Sequence, residues 1–156
     1  MKKDITLMKL VFIALFVSSF SVILSIFVDY KGTAVQAILG YVGAVLFWIG
    51  LVIGYVILGM ISKHRKDFER INKPTHRFKK SNKPGIIRFL SNKYAMIADV
   101  AMVVFLIVTL VFIFIPSLNQ NVAVIFAACL IFSVHMHSIL NGVNFTYIKS
   151  LRNKGE

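Results

Sequence analysis

Four apolar runs constrain this chain more than anything else in it. They occupy about residues 10–28, 36–61, 95–115 and 122–147, and Asp99 is the one acid, lysine or arginine inside them. A hydrocarbon layer about 30 Å thick needs roughly 20 apolar residues in a helix that rises 1.5 Å per residue. Every run comes up to that length. In lipid each must be helical, because an open strand would leave backbone groups unpaired. The ten-residue alternation of a membrane barrel is missing. The expected fold is all-α: an integral membrane four-helix bundle forming a single membrane domain over residues 1–156. The first run follows Lys2 and Lys3, as a secretory signal does. Its 19 residues exceed the usual signal core of about 7–15, so it is expected to stay as a span.

The connections set the expected orientation. Residues 62–94 hold eleven Lys or Arg against Asp67 and Glu69. The amino terminus adds Lys2, Lys3 and Lys9, and the carboxyl terminus adds Lys149, Arg152 and Lys154. One side of a four-span chain therefore carries 17 of the 18 basic residues, and Lys31 alone falls on the other. The bias of Lys and Arg toward the cytoplasm then places both termini and the basic loop 62–94 there, in the cell membrane. The outer connections, 29–33 and 116–121, are short, so the spans should form two antiparallel helical hairpins.

The same bias accounts for the net charge of +12, so nucleic acid is not an expected partner. Within the loop, SKHRKDFERINK should extend the second span as helix, supported by the Lys63/Asp67 and Glu69/Lys73 spacings and stopped at Pro74. IIRFLSNKY should form a short interfacial helix before the third span. Lys63, Arg65, Lys66, Arg77, Lys79, Lys80 and Arg88 are the expected contacts to anionic lipid headgroups or to an acidic partner. Phe68, Phe78 and Phe89 lie among them, without a nucleic-acid motif.

The fourth run ends in SVHMHSILNGVNFTY, and Ser133, His137, Asn141 and Asn144 share one helical face. Polar groups there should point into the bundle. Counting residues from the cytoplasmic surface puts Asn141 and Asn144 at the level of Asp99, with His137 about 9 Å deeper and reaching it through water. The expectation is an intramembrane polar cluster of Asp99, His137, Asn141 and Asn144, with Lys93 as an alternative partner for the carboxylate. His135 falls on the opposite face, so the two histidines do not chelate and no metal site is expected.

In the second span Gln36, Gly40, Gly43, Gly50 and Gly54 share a face, and Gly50 and Gly54 have the spacing that lets helices approach closely. Gly43, Gly50 and Gly54 should be helix-packing positions, facing either the serines of span one or a second copy. Tyr30, Tyr94 and Tyr147 fall at span boundaries, where amphipathic rings belong.

Catalytic signatures are missing. Cys129 is alone and without a base, one intramembrane acid cannot form a carboxylate pair, and no nucleotide-loop or zinc-protease pattern occurs. Neither enzyme activity nor a cofactor is expected. The reading that fits is an interaction or accessory protein (a subunit, regulator or protector) whose partners are lipid, another membrane protein or a homodimer. The alternative is a small dimeric proton-coupled transporter using Asp99 and His137.

Overall fold

The computed structural model describes residues 2–27, 33–71, 88–115 and 117–153. It is helical, with no strand among those residues. Helix α1 spans Lys2–Ser21 and tightens into a 3₁₀ segment, Val22–Phe27. Helix α2 spans Ala34–Ile71, α3 Lys93–Phe114, α4 Gln120–Leu140 and α5 Val143–Asn153. The stretches Lys3–Ile26, Ala34–Ile71, Lys93–Phe114 and Gln120–Leu140 are long and apolar enough to cross a membrane. Only 17% of the most apolar window of α2, and the same share of α3, is buried inside the chain. Trp48, Ile97 and Phe114 stand outward with many neighbours like them. In water a flank this apolar would drive aggregation. In lipid it meets a solvent of its own polarity, and the chain fits a small multi-pass membrane protein.

Helices α1 and α2 pack along each other in opposite directions, with the glycines of α2 as the seam. A Cβ at Gly50 would lie 2.6 Å from the Ala14 carbonyl oxygen, and one at Gly54 would lie 2.8 Å from the Leu15 side chain. Gly43 meets Leu24 and the Ser21 carbonyl in the same way. This face is therefore covered by α1 and is not free to pair with a second copy. Close approach matters because lipid offers no hydrophobic force between helices, leaving dispersion contacts and hydrogen bonds to hold them. Ser18 supplies one such bond, donating to the Phe47 carbonyl across the seam at 2.7 Å. Ser19 and Ser21 instead donate back to Leu15 and Ser18 on their own helix. Such back-bonding bends helices, and it falls just before α1 tightens.

Helix α3 packs along α4, and α4 also touches α1. Aromatic rings hold these contacts: Phe132 of α4 meets Phe16 and Phe20 of α1, while Phe126 meets Phe105 and Phe112 of α3. The apolar core lies at one end of the bundle, where Val11 and Leu15, Ile61, Ile139 and Leu151 converge. That end also carries Lys3, Lys63, Lys66, Lys93, Lys149 and Arg152 and is called the basic end below.

The structure departs from the sequence expectation in two places. The fourth span is not one helix through residue 147. It stops at Leu140, turns at Asn141 and Gly142, and restarts as α5. Asn-Gly is a strong turn dipeptide. Here the Gly142 N–H bonds the Ile139 carbonyl at 2.9 Å, closing the turn. The second departure is in IIRFLSNKY, of which Ile86 and Ile87 lie outside the described residues. Residues 88–92 are not helical, and α3 begins only after Asn92, whose side chain accepts from the Tyr94 and Ala95 N–H groups as an N-cap.

Candidate functional site: two acid–histidine pairs

Asp99 lies in the second turn of α3 and is 3% exposed. His137, in the last turn of α4, faces it directly, with Nδ1 2.6 Å from Oδ1, and is 2% exposed. The 9 Å separation expected from residue counting does not occur. The count assumed a straight continuous helix through residue 147. The turn at Asn141 and Gly142 places α5 beside the bundle, so α4 ends lower against α3. Asn141 completes the contact, donating from Nδ2 to Asp99 Oδ1 at 3.0 Å and to the His137 carbonyl at 3.0 Å.

Asn144 does not join this cluster. It lies beyond the turn, rotated off the shared face, and accepts from Arg65 Nε at 3.1 Å. Arg65 also donates to Glu69 at 2.7 Å, so it ties α2 to α5. The place expected for Asn144 is taken by main chain. Leu90 N–H donates to Asp99 Oδ2. Ser91 donates from Oγ to Asn141 Oδ1 at 2.6 Å, and Asn92 donates from Nδ2 to the Leu140 carbonyl at 2.8 Å. Phe89 lies over the His137 ring at 4.6 Å between centroids. Residues 89–92 thus form a strap that closes the pair off. Leu90 takes φ = 53°, a left-handed conformation that costs an ordinary residue about 1–2 kcal/mol. Its N–H points at the carboxylate in return.

A second pair stands nearby at the basic end and was not legible as a site in the sequence. Asp4, in the first turn of α1, is 6% exposed and lies 2.6 Å from His64 Nδ1 of α2. Tyr147 of α5 donates its hydroxyl to the other carboxylate oxygen at 3.3 Å. Burial, reinforced by the Asp4 charge and this hydrogen bond, pushes the Tyr147 phenol from 10.0 up to about 12. It therefore stays protonated as a donor at physiological pH. In each antiparallel helix pair, an aspartate near the start of the first helix meets a histidine toward the end of the second. The relation is parallel, with one pair tying α1 to α2 and the other α3 to α4.

The remaining expected residues are dispersed. Lys63 and Lys66 are exposed on the last turns of α2, and Arg88 is half-buried beside the strap. Arg77, Lys79 and Lys80 lie outside the described residues. His135 faces α2, where its Nδ1 is 3.2 Å from the Tyr55 hydroxyl. Its buried Nε2 has no hydrogen-bond partner among the described residues. No grouping of three potential metal ligands occurs among the described residues. Chemically, each aspartate is met by groups converging from neighbouring helices, an arrangement that fixes helices and keeps both acids away from water. No family model matches the chain, and no curated protein or solved structure matches it either.

Proposed function

We propose that this chain is an accessory or interaction protein of the cell membrane. In this reading it is a subunit, regulator or protector built as two helical hairpins, with both termini and the basic end in the cytoplasm. The observation that carries it is the closure of the Asp99–His137 pair. Asp99 and His137 line neither the 870 Å³ groove on the flank nor the 260 Å³ pocket between α2 and the α4–α5 turn. A coupling acid must meet solvent or substrate during transport. Asp99 is instead roofed by its strap and hydrogen-bonded on both oxygens. What the chain offers its surroundings is an apolar flank and, past Ile61, a helical extension with Lys63, Lys66 and Arg70 exposed. That extension suits anionic lipid or an acidic partner protein. Among the described residues we identify no nucleophile and base set for an enzymatic step.

The transporter reading keeps one observation in its favour, the short contact of a carboxylate with an imidazole inside the membrane, a common proton-relay pairing. Two measurements separate the readings. Purified protein in liposomes is expected to leave a proton gradient intact. Extraction in mild detergent is expected to recover the same membrane partner with wild type and with Asp99→Asn. Proton flux by the protein alone that Asp99→Asn abolishes would replace the accessory reading with the transporter.

A further inference from the structure

A groove of about 870 Å³ runs down the flank of the bundle between α1 and α3. Helix α4 forms its floor and α5 closes it at the basic end. The walls are Phe12, Ala101, Phe105, Phe132 and Met136. Ser133 is on the floor, but its hydroxyl donates to the Cys129 carbonyl at 2.8 Å and offers nothing to a ligand. The mouth is different. Lys9, Lys149 and Arg152 line it, and no Asp or Glu does so among the described residues. The acids carried by α1 and α3, Asp4 and Asp99, are turned away to His64 and His137.

The groove therefore has an apolar shaft and a cationic mouth. From Tyr94 to Phe105 it follows α3 for roughly 16 Å, about half of a hydrocarbon core and so about one leaflet. A polar solute would lose its hydration along such walls, and a wholly apolar one would leave three cations unanswered. We infer that the groove holds one anionic phospholipid from the surrounding leaflet. Its phosphate lies against Lys9, Lys149 and Arg152, and an acyl chain lies along Ala101, Phe105 and Phe132. Basic pockets between spanning helices are a recurrent way to hold anionic headgroups. The inference rests on the chain residing in a bilayer, which topology labelling tests separately.

The test uses the full chain in nanodiscs of equal phosphatidylglycerol and phosphatidylcholine. Native mass spectrometry is expected to show one retained phosphatidylglycerol. Each of Lys9→Gln, Lys149→Gln and Arg152→Gln should weaken that retention about fivefold, the increment of one basic residue near an anionic surface. Phosphatidylglycerol with a photoreactive acyl tail should cross-link to residues 101–105 and 132–136. Ala101→Trp should displace the lipid with the mouth intact. Equal retention of the two lipids would overturn the inference. So would cross-links spread evenly over the outer face around Trp48, and that map needs no variant to fold.

Discussion

His137→Leu is the substitution that best exposes what holds the basic end together. It removes a ring nitrogen 2.6 Å from an Asp99 side chain that is 3% exposed and leaves Asp99 with Asn141 and the Leu90 N–H. Two magnitudes compete. An ordinary hydrogen bond between membrane helices averages about 0.6 kcal/mol. Removing one member of a buried pair costs about 3–5 kcal/mol where the group left behind is ionised, because that charge stays buried. With two donors remaining, the low end applies, about 3 kcal/mol. The assay is unfolding in mixed detergent–SDS micelles followed by helical circular dichroism. The decisive comparison is the double variant Asp99→Leu/His137→Leu, which removes the charge as well as its partner. It is expected to recover a large part of the loss, so the double variant should be more stable than His137→Leu alone. A loss near 0.6 kcal/mol, simply additive with Asp99→Leu, would refute the reasoning and leave the contact as an ordinary interhelical hydrogen bond.

Three further outcomes follow from particular contacts. Gly50→Leu should separate α1 from α2 and destabilise by about 1–3 kcal/mol, as overpacking does. Gly59→Ala has open space around its new methyl and should stabilise by up to about 1 kcal/mol; equal effects in the same unfolding assay would discount the glycine seam. Asn92→Ala removes the cap of α3 and should cost about 1 kcal/mol, with hydrogen exchange accelerated at Tyr94 and Ala95. For Tyr147 the fold raises the phenol pKa from 10.0 to about 12. Its contribution is then fully present below pH 10.0 and lost as pH rises toward about 12. Wild type should therefore lose stability over that window more steeply than Tyr147→Phe, and parallel alkaline profiles would remove the proposed bond to Asp4.

Composition and the length of apolar runs were enough to read four helices long and apolar enough to cross a membrane, because lipid leaves a backbone few choices. The helical face of the fourth run led to Asp99, His137 and Asn141, and these three do meet. What the sequence hid followed from backbone turns. One glycine, Gly142, moved Asn144 from the carboxylate to Arg65. The strap was hidden because its key donor is a main-chain N–H, from Leu90, which no side-chain pattern announces. The Ser91-Asn92 pair before the third run was the available signal, since such residues begin helices. Asp4 and His64 sit 60 residues apart on different helices, and only the packing of α1 against α2 brings them together. Neither falls inside one of the four apolar runs.

In the proposed topology the chain threads a bilayer four times with its basic end inside the cell. Replacing Cys129 with alanine and placing single cysteines at Ser117 and at Lys66 tests it in intact cells with a membrane-impermeant maleimide. The Ser117→Cys protein is expected to label at once and the Lys66→Cys protein only after permeabilisation. Labelling of Lys66→Cys in intact cells, with Ser117→Cys protected, would contradict the orientation, and equal labelling of both would contradict the membrane placement itself.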